Sequence, residues 1–172
     1  DSNEGMAYLF RGPLSGALDL ADATTVIAGE TDTDLLGQYF LDGLGDLDGS
    51  GAIDLAVGAH YHDPIDATDG TTEYQQGGAL YVFYDPAAGS LSGADADATI
   101  VGTSTAEYIG YNGDSADVDG DGLLDLIVGA SGEAEVYIYT GSLIGTYTVD
   151  DADILLDGNS GSAVGSNLAA GD

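Results

Sequence analysis

The sequence predicts an all-β protein, and three observations carry that expectation. Glycine is abundant, 28 of 172 residues, while proline is scarce at 3, a balance that suits many tight turns between short strands. The apolar runs are short and rich in β-formers, as in Ala79-Leu80-Tyr81-Val82-Phe83 and Leu123-Leu124-Asp125-Leu126-Ile127-Val128, and they run out at Gly or Asp. No long stretch carries apolar residues at the i, i+3, i+4, i+7 spacing of an amphipathic helix. At 44% hydrophobic residues, the chain has enough apolar material for a packed core.

An internal repeat orders these runs. Pro13-Leu14-Ser15-Gly16-Ala17-Leu18 aligns with Pro86-Ala87-Ala88-Gly89-Ser90-Leu91, position 86 against position 13, an offset of 73. The same offset pairs Thr25-Val26-Ile27-Ala28-Gly29 with Ala98-Thr99-Ile100-Val101-Gly102, and Leu36-Gly37 with Ile109-Gly110. Asp54-Leu55-Ala56-Val57-Gly58-Ala59 then matches Asp125-Leu126-Ile127-Val128-Gly129-Ala130. Aromatic strands close the copies at Tyr81-Val82-Phe83 and Tyr137-Ile138-Tyr139, and another, Tyr8-Leu9-Phe10, opens the chain.

Four strands fit each copy. The first full copy predicts strands near 37–45, 53–59, 78–84 and 97–102, and the second near 110–116, 123–130, 135–140 and 152–157. A four-stranded antiparallel unit repeated in this way is a blade of a β-propeller, and one blade cannot bury both faces of its sheet without stacked neighbours. The expected organisation is the tail of a preceding blade at 1–36, a full blade at 37–109, a second at 110–164, and the start of a third copy at 165–172. That is two full blades with partial flanking ones, where closure takes about four to eight. Val164-Gly165 repeats Ile109-Gly110, and Asp172 follows Gly165 at the spacing by which Asp117 follows Gly110. The expectation is therefore a fragment of a longer chain.

Two acidic loops share one design: Asp46-Leu47-Asp48-Gly49-Ser50-Gly51-Ala52-Ile53-Asp54 and Asp117-Val118-Asp119-Gly120-Asp121-Gly122-Leu123-Leu124-Asp125. Oxygen ligands fall at positions 1, 3, 5 and 9, glycine at position 6 permits the turn that aims them inward, and position 7 can offer a carbonyl. The expected side-chain ligands are Asp46, Asp48, Ser50 and Asp54, with Ala52 through its carbonyl, and Asp117, Asp119, Asp121 and Asp125, with Leu123 through its carbonyl. An all-oxygen set of this size suits Ca2+ better than the tight octahedron of magnesium, and the absence of nitrogen and sulfur ligands argues against zinc. Ser50 stands where the second loop has a carboxylate, so the first site is expected to bind more weakly. The bland alternative is an Asp-Gly turn with solvated carboxylates, which two loops in register with a repeat disfavour. A helical EF-hand needs an acidic residue at position 12, and Val57 and Val128 stand there.

These residues resemble the FG-GAP repeat family of integrin α-subunit propellers and many bacterial surface proteins. Leu36-Gly37, Ile109-Gly110 and Val164-Gly165 occupy the "FG" position, and Gly58-Ala59-His60 and Gly129-Ala130-Ser131 the "GAP" position. The chain departs from the pattern in lacking Phe at the first and Pro at the second. The resemblance implies a multi-bladed propeller with calcium in the first hairpin of several blades.

Charge excludes other classes. With 31 acidic residues against the single basic Arg11, the formal net charge is -30, which repels nucleic acid and anionic membrane surfaces. There is no cysteine, and no apolar run approaches the roughly 20 residues that span a bilayer, so no disulfide framework, thiolate metal site or membrane insertion is expected. No Gly-x-Ser-x-Gly nucleophile motif occurs, and the paired carboxylates are better explained as metal ligands than as acid–base catalysts. His60 and His62 are expected to be loop residues, with a transition-metal site as the minor alternative. The expected protein is non-catalytic, extracellular or at the cell surface, and acts in recognition or adhesion towards a protein or glycan ligand. The alternative is a structural repeat of a filament or surface layer whose partner is further copies of itself. A third reading, a propeller appended to an enzyme, places the chemistry outside these residues.

Overall fold

A computed structural model describes residues 3–159 and 162–171. The described residues form twelve strands: β1 (Met6–Leu9), β2 (Thr25–Ala28), β3 (Leu41–Gly45), β4 (Asp54–Ala59), β5 (Ala79–Phe83), β6 (Gly89–Ser92), β7 (Ala98–Val101), β8 (Ile109–Ala116), β9 (Asp125–Ala130), β10 (Glu135–Tyr139), β11 (Gly145–Thr148) and β12 (Ile154–Asp157). The helical elements are three one-turn 3-10 segments, Leu20–Asp22, Gly93–Asp95 and Val149–Asp151. All eight strands expected from the two full copies form.

The strands make three sheets, ordered β1-β2-β6, β11-β7-β5-β4-β3 and β12-β10-β9-β8. In the second and third, four antiparallel strands follow chain order, and β10 and β5 sit at equivalent places beside β9 and β4. The parallel strands β6 and β11 were not expected from the sequence. Each leaves its own copy between that copy's third and fourth strands and pairs with the last strand of the preceding sheet, β6 with β2 and β11 with β7. Among the described residues the three sheets stack without closing into a ring.

Period-2 alternation explains why the sheets stack face to face. From β4, Leu55, Val57 and Ala59 point to the first sheet, while Ala56 points to the third. From β5, Tyr81 and Phe83 join the first interface, and Leu80 and Val82 the second, where Leu126, Val128, Tyr137 and Tyr139 meet them. The opposite face of the third sheet sets Ile127, Val136 and Ile138 under Val164 and Leu168. Strands β4, β5 and β9 are buried at every residue because both of their faces are covered. Leu36 and Ile109, which stand where the repeat family has Phe, are both buried.

Backbone contact between sheets sets their spacing. A Cβ on Gly58 would lie 1.9 Å from the Gly110 carbonyl oxygen, and one on Gly129 would lie 2.2 Å from that of Gly165. The glycine of each Gly-Ala pair thus receives the glycine that opens the next copy, and any larger residue would force the sheets apart.

Candidate metal centre

Each acidic loop joins the first two strands of its sheet, β3 to β4 and β8 to β9. The strands fix position 9 in both: Asp54 and Asp125 begin β4 and β9 and are completely buried. Between them and position 1 the chain turns back on a series of side chain to backbone bonds. Asp46 Oδ2 accepts the Gly51 N–H at 2.9 Å, and Asp117 Oδ2 accepts that of Gly122 at 2.9 Å. Asp48 Oδ1 accepts the Ser50 N–H at 2.9 Å, and Asp119 Oδ1 that of Asp121 at 3.0 Å. The bonds to Ser50 and Asp121 are Asx turns, and with the longer bonds to Gly51 and Gly122 they wind the loop around its own carboxylates. The turn requires a left-handed residue at position 6, where Gly51 and Gly122 take φ values of 88° and 92°.

The outcome is two matching carboxylate groups. Asp46, Asp48 and Asp54 bring one oxygen each within 4.8 Å of one another, and so do Asp117, Asp119 and Asp125. Positions 1, 3 and 9 are therefore assembled. Asp121 stands outside its group; its Oδ1 accepts the Leu123 N–H at 2.8 Å, as Ser50 Oγ accepts the Ala52 N–H at 3.2 Å. At position 7, the N–H groups of Ala52 and Leu123 meet the position-5 side chains. Asp172 lies outside the described residues.

The donor set fits a hard cation. Asp46 Oδ1 is buried and has no hydrogen-bond partner, an orphaned anionic oxygen at the head of the first loop. A group of this kind is costly without a counter-charge. Asp54 supports the fit. Burial pushes its carboxyl above the ordinary carboxylate range, against the opposing backbone hydrogen bonds from Leu47 and Asp85, and nearby Asp48 adds to the rise. A bound divalent ion would relieve both strains, held by Asp46, Asp48 and Asp54, and in the second loop by Asp117, Asp119 and Asp125.

Position 9 also carries a structural load. Asp54 accepts the Leu47 N–H at 2.8 Å and the Asp85 N–H at 3.1 Å; Asp125 accepts that of Val118 at 2.8 Å and that of Gly141 at 3.0 Å. Each carboxylate thus ties the loop to the turn after the sheet's third strand and keeps further lone pairs for an ion.

Two buried carboxylates escaped the sequence reading although the 73-residue offset pairs them. Asp34 accepts the Glu30 N–H at 2.9 Å and the Thr31 N–H at 2.8 Å; Glu107 accepts those of Thr103 and Ser104 at 2.8 and 3.0 Å. Both close the turn after the last strand of a sheet. Burial raises Asp34, but hydrogen bonds from His62 and Thr31 outweigh it and hold the carboxyl below its ordinary value. Burial prevails at Glu107, which is raised. His62 Nδ1 lies 3.2 Å from Asp34, whereas His60 is buried among Tyr39, Tyr61, Tyr108 and Tyr111. Among the described residues neither histidine belongs to a group of three metal-ligating side chains.

Residues 109–142 match the family model of the FG-GAP repeat. The match spans β8, the second acidic loop, β9 and β10, so the chain carries an FG-GAP repeat, as its motifs led us to expect. No curated protein matches the chain. No helix among the described residues is long and apolar enough to cross a membrane.

Proposed function

We propose that this chain is a calcium-stabilised, non-catalytic segment of an extracellular β-propeller that serves recognition or adhesion. The observation that carries it is the pair of matching three-carboxylate groups, each at the first hairpin of a four-stranded sheet. The side-chain ligands are Asp46, Asp48, Ser50 and Asp54 in one loop and Asp117, Asp119, Asp121 and Asp125 in the other, with Ala52 and Leu123 contributing carbonyls once an ion draws the loop closed. Calcium takes six to eight oxygens at flexible geometry, and loops so rich in glycine adjust to it. The blades run over 37–109 and 110–164, with 1–36 and 165–172 belonging to neighbouring ones. An extracellular location is supported by the typical setting of FG-GAP repeats.

Isothermal titration of calcium tests the reading. Two sites per chain are expected, the Ser50-containing loop the weaker. Heat of binding absent at millimolar calcium would remove the reading.

A second reading is favoured by a specific observation. The last strand, β12, is exposed at all four residues, and a sheet edge of this kind takes a further strand from the same chain or from another copy. On this reading the chain is a structural repeat of an extracellular filament or surface layer, and its partner is itself.

A further inference from the structure

We propose that the cleft between the second and third sheets, walled by Tyr39, Tyr61, Tyr108, Tyr111 and His60, is a carbohydrate site that takes an uncharged sugar ring. The proposal rests on the recognition reading above and names the class of ligand.

The cleft stands at the end of the strands away from the acidic loops. Tyr39 leads into β3, His60 and Tyr61 follow β4, Tyr108 leads into β8, and Tyr111 lies near the start of β8. Ser131, after β9, and Ser166 complete the wall of a cavity of about 380 Å³. That volume falls within the roughly 300–1,000 Å³ of small-molecule sites. His60 is the hub. Its ring meets Tyr39 edge-on, with centroids 4.7 Å apart at 90°, and Tyr111 at 5.5 Å and 87°. Those two tyrosines stack on each other at 4.5 Å and 21°. Tyr61 packs against His60 at 4.4 Å and lies 5.7 Å from Tyr108. The rings brace one another, so little side-chain freedom remains to be lost on binding.

Packing between repeats does not explain these rings. The 73-residue offset puts Leu35 at the place of Tyr108 and Gln38 at that of Tyr111. Asp125 follows Asp54 by 71 residues, and the same step puts Ser131 and Gly132 at the places of His60 and Tyr61. The backbone does not require them either: Leu35 takes the same left-handed conformation as Tyr108, φ 55° against 60°. The aromatic set belongs to this one junction.

The chemistry of the wall selects the ligand. None of its residues is Asp, Glu, Lys or Arg, in a chain with 31 Asp and Glu among 172 residues. Burial holds the His60 imidazole below its ordinary value, so it is uncharged at neutral pH. The wall thus gives a cationic ligand no counter-charge, and the net charge of -30 repels an anionic one. What remains is ring faces and hydroxyls. The negative face of a tyrosine ring attracts the polarised C–H groups on one side of a sugar. Among the described residues, only Tyr108 of the four tyrosines spends its hydroxyl within the protein, on Gln76 Oε1 at 3.1 Å. His60, 2% exposed, keeps a buried Nδ1 with no partner. Sugar hydroxyls both donate and accept, which suits this mixed set of tyrosine and serine hydroxyls and imidazole nitrogen.

The chain has no tryptophan, so tyrosine fluorescence reports on the cleft. The full chain, in calcium-containing buffer, is titrated with the methyl glycosides of glucose, galactose, mannose, fucose and N-acetylglucosamine. Glucuronate and tetramethylammonium are titrated in parallel, the latter because tyrosine faces also attract cations. Fluorescence and heat of binding are followed together. The expected result is saturable binding of at least one neutral glycoside and none of glucuronate or tetramethylammonium. Tyr111→Ala should weaken that binding about tenfold or more, as loss of an aromatic anchor does. Ser131→Leu, which fills the cavity and leaves every ring in place, should abolish it, while Tyr8→Phe, outside the cleft, should bind as the parent does. The proposal is overturned if no neutral glycoside binds, if glucuronate or tetramethylammonium binds instead, or if both Tyr111→Ala and Ser131→Leu bind as the parent does. The heat of calcium binding is measured on the same samples. Calcium binding without glycoside binding overturns the sugar site and leaves the calcium-stabilised propeller standing; glycoside binding without calcium binding upholds the sugar site and removes the metal reading.

Discussion

Asp54 and Asp125 hold two kinds of partner at once, and substitutions can separate them. Each buried carboxylate accepts two backbone N–H groups in addition to facing the other carboxylates of its loop. Asp54→Ala strands the buried N–H of Leu47, a loss of about 1–3 kcal/mol, and also removes the part-buried bond from Asp85. Chemical denaturation in chelator should register that loss. Asp48→Ala, at an exposed position, should leave the chelated protein nearly unchanged and weaken it only when calcium is present. Equal effects of both variants in chelator would mean that position 9 has no structural role of its own. The paired carboxylates Asp34 and Glu107 make a second residue-scale prediction, with opposite signs. Asp34 is held below its ordinary 3.8, so its contribution is present above that value and is lost as pH falls through the lowered folded value. Glu107 is raised above its ordinary 4.5, so its contribution is full below 4.5 and is lost as pH rises through the raised folded value. Urea denaturation across this range should find Glu107→Gln relieved of the loss on the alkaline side, and Asp34→Asn insensitive to the loss on the acid side.

At the scale of the elements, the Gly-Ala pair that ends β4 and β9 sets how closely sheets approach. Gly58→Ala places a methyl against the Gly110 carbonyl, and Gly129→Ala repeats the conflict at Gly165. Thermal melts should show each costing about 1–3 kcal/mol or more, as overpacked cores do, whereas Gly49→Ala, with its nearest side chain 3.8 Å away, strains only its own backbone. The elements also divide by how legible they were in the sequence. Strands β4, β5, β9 and β10 announce themselves as continuous apolar runs because both faces are covered. Strands β6 and β11 do not: Gly-Ser-Leu-Ser and Gly-Thr-Tyr-Thr are four residues long, half hydroxyl, and owe their conformation to the edge they pair with. In the acidic loops, positions 1, 3 and 9 were legible because loop spacing alone brings them together, whereas the side chain at position 5 makes a local turn to position 7 that spacing does not reveal. Asp34 and Glu107 were hidden by differing in residue type while doing the same work.

The whole molecule combines a well-filled interior with a surface that repels itself. Two interfaces between three stacked sheets hold most of the fully buried large apolar side chains, and burying a Leu or Ile is worth about 1.5–3 kcal/mol. Against this stands a net charge of -30 with Arg11, paired to Asp85, as the only Lys or Arg. Six of the 31 acidic residues are gathered in two groups at the same position of successive sheets. Added sodium chloride should therefore raise the melting temperature in chelator by screening the general repulsion, and calcium at constant ionic strength should raise it further. A calcium effect no larger than that of sodium at matched ionic strength would reduce the acidic loops to solvated turns.

The measurement that tests the central claim most directly is a thermal melt of the chain at fixed ionic strength, with calcium and with chelator, beside the double variant Asp48→Ala/Asp119→Ala. Calcium at about 100 times its dissociation constant should stabilise the parent by about 2.7 kcal/mol per site. The double variant should melt with the chelated parent under both conditions. A parent melting curve indifferent to calcium, or a double variant that still responds as the parent does, would contradict the claim that these loops hold the ion.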